Sequence, residues 1–152
     1  MSHLKEGDKA PDFLIEQAGL KKSDIEGKKI ILYFYPKDNT PGCTAESCNL
    51  RDNYDDLKSK GFEVIGVSPD SEKSHENFKN KHSLPFPLIP DTEKEVLNAY
   101  GVWGEKKNYG RTYMGVHRKT FIISEKGIIE KIIEKVKTKE HSAQILKEMG
   151  IE

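Results

Sequence analysis

Two short runs in this chain are apolar at almost every position: Lys29-Ile-Ile-Leu-Tyr-Phe-Tyr35 and Phe62-Glu-Val-Ile-Gly-Val-Ser68. Strands with one wet face alternate in polarity, so runs like these predict strands covered on both faces. The stretch between them, from about Pro41 to Lys60, reads as a helix closed by Gly61. A strand, a helix and a second strand buried on both sides imply a sheet with helices on each face.

The other elements are weaker but consistent. A short strand is expected at Phe13 to Ile15, a turn at Lys22 to Gly27, and a second helix at Ser71 to His82, with Ser71 and Ser74 as candidate caps. Pro85 to Pro90 is extended and broken by prolines. Asp91 or Thr92 should cap a short helix ending near Tyr100-Gly101, and the polar Gly104 to Tyr113 should loop. Lys119 to Ile123 and Gly127 to Val136 predict a hairpin, and Glu140 to Met149 a last helix stopped by Gly150. This order suits an α/β domain with a mixed central β-sheet and helices on both faces, for which a thioredoxin-like layout is the natural match.

A chain of 152 residues holds one such domain, expected to span 1–152. Its 25 basic and 25 acidic residues cancel, so no net field favours nucleic acid or an anionic membrane, and neither is expected as a partner. No apolar run approaches the roughly 20 residues of a membrane span, and the first residues lack a signal-peptide pattern. The expected location is therefore cytoplasmic. In a reducing compartment a disulfide is usually transient and catalytic.

That expectation bears on Cys43 and Cys48, the only cysteines. Thr40 is a good N-cap residue and Pro41 suits the first helical position, which makes Cys43 the third residue of the helix. There it faces unpaired backbone N–H groups and the positive end of the helix dipole, which favour thiolate over thiol. Cys43, Leu50, Tyr54 and Leu57 share one helical face, so Cys43 should point toward the core. Cys48 lies about 140° further round, with its Cα about 8.7 Å away. A disulfide spans at most about 7 Å, so bridging needs the first turns to unwind. Taken alone, Cys48 could equally be a small buried hydrophobe. A zinc site needs about four ligands, commonly in close pairs. His3, His75, His82, His117 and His141 are scattered, so neither metal nor cofactor is expected. His75 and His82 fall on an otherwise polar helix and are expected to be solvated.

The run Pro36-x-x-x-Thr40-x-x-Cys43 resembles the peroxidatic motif of the peroxiredoxins. Asp38-Asn-Thr-Pro-Gly-Cys-Thr44, with a cysteine five residues past Cys43, is similar to the bacterioferritin comigratory protein (PrxQ) subfamily. The likeness continues through Gly7-Asp-x-Ala-Pro-Asp-Phe13, Leu50-Arg-Asp52, Gly66-Val-Ser68, Leu88-x-x-Asp91, Tyr100-Gly-Val-Trp-Gly-Glu105 and Gly115-x-His-Arg-x-Thr-Phe121. The resemblance implies a thiol peroxidase acting on hydrogen peroxide and organic hydroperoxides. Cys43 would attack the peroxide, Cys48 would resolve the sulfenic acid as an intramolecular disulfide, and thioredoxin or a similar dithiol reductant would recycle it. Thr40 and Arg118 would position the peroxide, and Pro36 would shield the cysteine. Resolution within one chain requires no second subunit, so a monomer is expected. Thr40 can serve as a cap at the same time.

Two other readings explain the cysteines. A thioredoxin-type oxidoreductase usually carries Cys-x-x-Cys, which bonds across one turn without unwinding. A redox-sensing or holdase module would use the unwinding to expose surface. Neither explains Thr40 and Arg118.

Overall fold

In the computed structural model, which describes residues 4–151, five strands form one mixed sheet. His3 lies outside the described residues. The central strand β1 (Lys29–Phe34) pairs in parallel with β2 (Phe62–Ser68), which pairs in parallel with the short β3 (Leu88–Pro90). On its other edge β1 meets β6 (Lys119–Ile123) antiparallel, and β6 meets β7 (Ile129–Ile133) across the expected hairpin. The helices are α1 (Lys22–Ile25), α2 (Pro41–Asp52), α3 (Tyr54–Ser59), α4 (Glu72–His82), α5 (Glu95–Ala99) and α6 (His141–Glu148). A separate ribbon pairs β4 (Trp103–Asn108) with β5 (Arg111–Val116). This is the mixed α/β layout expected.

The pleat of β1 divides the core. Ile31, Tyr33 and Tyr35 pack with Leu50 of α2, Leu57 of α3, Phe78 of α4 and Ile145 of α6. Ile30, Leu32 and Phe34 face the opposite way, toward Val96, Leu97, Tyr100 and Phe121. Gly66 makes room on the first face. A Cβ there would stand 2.6 Å from Leu88 Cδ2 and 2.8 Å from Tyr33 Cζ, inside contact distance. The Tyr33 ring thus lies across β2, and its hydroxyl meets Ser47 Oγ of α2 at 2.9 Å. The strand and the cysteine-bearing helix are bonded directly.

Several expectations are corrected. The helix predicted from Pro41 to Lys60 is two helices, broken at Asn53 (φ −112°, ψ 10°). Asn53 Nδ2 donates to Asn49 O at 2.8 Å, occupying the carbonyl its own N–H would take in a continuous helix. No strand forms at Phe13 to Ile15. Asp12 Oδ1 accepts the Leu14 N–H at 3.0 Å, Leu14 adopts φ 52°, and a 3-10 turn follows at Ile15–Ala18. The Lys22 to Gly27 turn contains one helical turn, α1, closed by the Asp24 carboxylate on the Lys21 N–H. Asp91 does cap α5, but from a distance, accepting the Leu97 N–H at 2.7 Å, while the helix begins only after Lys94. The expected loop at Gly104 to Tyr113 belongs to the β4–β5 ribbon, which turns at Tyr109-Gly110 with both φ positive.

Candidate active site

Thr40 precedes α2 in an extended conformation, Pro41 takes the first helical position, and Cys43 is third, as the capping pattern predicts. The Thr40 side chain does not cap, however. Its hydroxyl donates to Lys37 O at 2.8 Å and braces the loop before the helix instead. Cys43 faces inward and is 1% exposed. Cys48 is half-buried further along the same unbroken helix, and neither cysteine is in a disulfide. Pro36 is half-buried at the end of β1.

Arg118 comes from the other side of the sheet's centre. It immediately precedes β6, whose Lys119 is paired with Phe34 of β1, so its position at the start of α2 follows from the register. Arg118 Nη2 lies 3.1 Å from Cys43 Sγ, and Nη1 donates to Glu46 Oε1 at 2.6 Å. Gly42 lets the guanidinium lie this close: a Cβ there would be 3.3 Å from Nη2. Although burial opposes its charge, Glu46 and Cys43 drive the Arg118 group above its ordinary value. A guanidinium against a sulfur in the first turn of a helix adds charge and a donor to the unpaired backbone N–H groups.

Glu46 and His141 were not singled out in the sequence. Both are fully buried. Burial pushes the Glu46 carboxyl up to about 7, and Arg118 only partly offsets it. His141, at the start of α6, is pushed down to about 4, chiefly by burial and further by Arg118. An acidic residue one turn into a helix ordinarily reads as a solvated complement to the dipole, so nothing local marked Glu46 as buried.

His75 corrects an expectation. It is 3% exposed rather than solvated. Its Nδ1 lies 2.8 Å from Asp38 Oδ2 and its Nε2 3.1 Å from Ile89 O. Asp38 also accepts from Tyr35 OH at 2.6 Å and Ser74 Oγ at 2.8 Å, while Asp70 Oδ2 accepts the Asp38 N–H at 2.8 Å. Burial alone would raise the Asp38 carboxyl, but these donors, His75 foremost, hold it below its usual value. The network fixes the segment between Pro36 and Thr40 against α4 and β2. Asp38, Asp70 and His75 bring two carboxylates and a ring nitrogen within 4.8 Å, the one grouping of metal-ligand type among the described residues. Their atoms are engaged with one another and with neighbouring donors. His82 is half-buried, its ring edge-on to Phe78 at 5.2 Å.

Known proteins resemble this chain over most of its length. The AhpC/TSA family model matches residues 6–132. Peroxiredoxin Bcp of Bacillus subtilis is 48% identical over 145 residues, 92% of this chain and 91% of that protein. Peroxiredoxin Bcp of Escherichia coli is 43% identical over 149 residues, 96% of each. Among solved structures, a cysteine-to-serine mutant of Xylella fastidiosa PrxQ superposes with a TM-score of 0.87 at 32% identity, over 99% of this chain and 98% of that one. The bacterioferritin comigratory protein of Xanthomonas campestris, described for its alkyl peroxide reduction activity, gives 0.78 at 35% identity over 84% and 80%. The chain belongs to the AhpC/TSA family, within it to the Bcp (PrxQ) peroxiredoxins, and is a thiol peroxidase with a thioredoxin-like fold.

Proposed function

We propose that Cys43 is the peroxidatic thiol and Cys48 the resolving one. The observation that carries this reading is the 3.1 Å contact between Arg118 Nη2 and Cys43 Sγ at the third residue of α2. The Cys43 thiolate attacks the terminal peroxide oxygen, the O–O bond breaks, and the departing alkoxide or hydroxide takes a proton. Cys43 is left as a sulfenic acid. Arg118 and the backbone N–H groups of the first turn stabilise the negative charge as it moves from sulfur to oxygen. The Thr40 hydroxyl, now on Lys37 O, turns to the peroxide when it binds, and Pro36 screens the sulfur from water.

Cys48 then attacks the Cys43 sulfur. The S–O bond breaks, the hydroxide leaves as water with the proton of the Cys48 thiol, and the S–S bond that forms consumes the sulfenic acid before it can be oxidised further. The intact α2 holds the thiols too far apart, so this step follows unwinding of its first turns. A dithiol protein such as thioredoxin reduces the bond by exchange. The substrates are hydrogen peroxide and organic hydroperoxides, in keeping with the alkyl peroxide activity named for the Xanthomonas relative. One domain carries the whole cycle, as a monomer in the cytoplasm and without metal or cofactor. No helix among the described residues is long and apolar enough to cross a membrane.

Stopped-flow oxidation tests the assignment. Cys43→Ser should lose peroxide reduction entirely, and Arg118→Ala should slow the first step about 100-fold or more, the usual effect of deleting an oxyanion donor. Turnover retained by Cys43→Ser, or an unchanged rate in Arg118→Ala, would remove that residue from the site.

A further inference from the structure

Glu46 Oε2 is the one buried side-chain nitrogen or oxygen among the described residues without a hydrogen-bond partner. The atom facing it is His141 Nε2, 3.5 Å away on a fully buried ring. The hydrogens on that ring follow from its neighbours. Gln144 is oriented by two backbone groups: its Oε1 accepts the Lys137 N–H at 2.9 Å, and its Nε2 donates to Lys135 O at 2.8 Å. Oε1 is therefore an acceptor, and it lies 3.0 Å from His141 Nδ1, so Nδ1 carries hydrogen. In the neutral ring Nε2 is then a single lone pair that faces both the Thr120 hydroxyl, at 2.7 Å, and Glu46 Oε2, either of which can supply its hydrogen. An ionised Glu46 would set a carboxylate oxygen against that lone pair with no hydrogen between them. One added proton removes the conflict.

We propose that Glu46 and His141 hold one proton between them, and that His141 is thereby a positioning residue for the peroxide step, keeping Glu46 neutral so that Arg118 directs its charge at Cys43. This rests on the reading of Arg118 and Cys43 given above. The proton sits on the carboxyl: burial lifts Glu46 to about 7 and lowers His141 to about 4, reversing their ordinary order. Burial drives both shifts; Arg118 opposes the rise at Glu46 but adds to the fall at His141, where an imidazolium would be a second cation beside it. The titratable and charged groups near Glu46 are Cys43 on its own helix, Arg118 before β6, His141 on α6 and Tyr33 on β1. Burial holds the Tyr33 hydroxyl in its neutral form. With Glu46 neutral, one guanidinium serves one anion, the Cys43 thiolate. With Glu46 ionised, the same charge is divided between two.

The test uses the Cys48→Ser protein, in which the first step is isolated. Glutamate labelled with carbon-13 at the carboxyl reports the Glu46 titration by NMR, its signal identified by loss in Glu46→Gln. The peroxide rate is followed against pH in parallel. His141→Asn keeps a donor toward Gln144 but removes the acceptor facing Glu46, whereas His141→Gln places an amide oxygen where Nε2 was. Glu46 should be neutral at about pH 6 in the parent protein and should titrate at lower pH in His141→Asn. The peroxide rate of His141→Asn should be several-fold lower at about pH 6, with its profile moved to the alkaline side, and His141→Gln should return both toward the parent. An ionised Glu46 at about pH 6 in the parent, or coincident profiles for parent and His141→Asn, overturns the proposal. An Arg118→Ala rate equal to the parent's would instead remove the reading beneath it, and the proposal with it.

Discussion

At Gly42 the absence of a side chain sets where Arg118 can lie. A methyl group there would come within 3.3 Å of Nη2 and 3.9 Å of Cζ, so the guanidinium must give way by a few tenths of an ångström. Alanine is also the better residue inside a helix, by about 1 kcal/mol. Gly42→Ala should therefore leave thermal stability unchanged or raised while slowing the peroxide step several-fold. A rate equal to the parent's would show that the fit at Gly42 does not govern the guanidinium. His75 makes the opposite kind of prediction. Its ring is buried between Asp38 and Ile89 O, so His75→Ala leaves a buried carboxylate without its main donor. Loss of about 3 kcal/mol is expected in urea unfolding, and less than about 1 kcal/mol would mean the network contributes little. The place of Cys43 at the third position of α2 was legible because residues that open a helix act over three or four positions. Arg118 beside Cys43 came only from the family resemblance, and the Arg118–Glu46 and His75–Asp38 pairs were not legible, because they join residues 72 and 37 positions apart.

In the proposed cycle the element that moves is α2. Glu46 lies between the two cysteines, so unwinding far enough to join them takes its carboxyl from a dry site into water. In the intact helix that carboxyl titrates near 7, against an ordinary value of 4.5. The folded form holds the extra proton between those values, so its advantage is full below the lower one and lost as pH rises through the upper one. The difference amounts to on the order of 3 kcal/mol. Conversion of the Cys43 sulfenic acid to the disulfide should therefore be faster at about pH 8 than at about pH 5, in rapid-quench measurements. Thiol attack itself quickens as pH rises, so the comparison is with Glu46→Gln. In that variant the pH dependence should be shallower, and an equal slope would detach the carboxyl from the unwinding. The two-thiol geometry was readable from a spacing of five on a helix. The end of that helix was not, because Asn53 breaks it with a side-chain bond that helical periodicity does not register.

Across the whole molecule, the sheet order explains how distant segments meet. With β1 central, β2 on one edge and β6 on the other, the residue before β6 arrives beside the helix that follows β1. The apolar runs made that centre legible. The β4–β5 ribbon escaped because it pairs Glu105 with Met114, Lys106 with Tyr113 and Lys107 with Thr112, largely in solvent, so neither strand carries a buried face to read. The ribbon leads through Val116 and His117 directly into Arg118, so its register contributes to where the guanidinium stands. The proposed cycle is one reaction sequence: oxidation at Cys43 followed by capture by Cys48 from an opened helix. Mass spectrometry of protein quenched after one equivalent of peroxide tests it most directly. A Cys43–Cys48 disulfide is expected in the parent chain and a sulfenic acid confined to Cys43 in Cys48→Ser. Oxidation first appearing on Cys48, or a parent chain with no bond between the two cysteines, would contradict it.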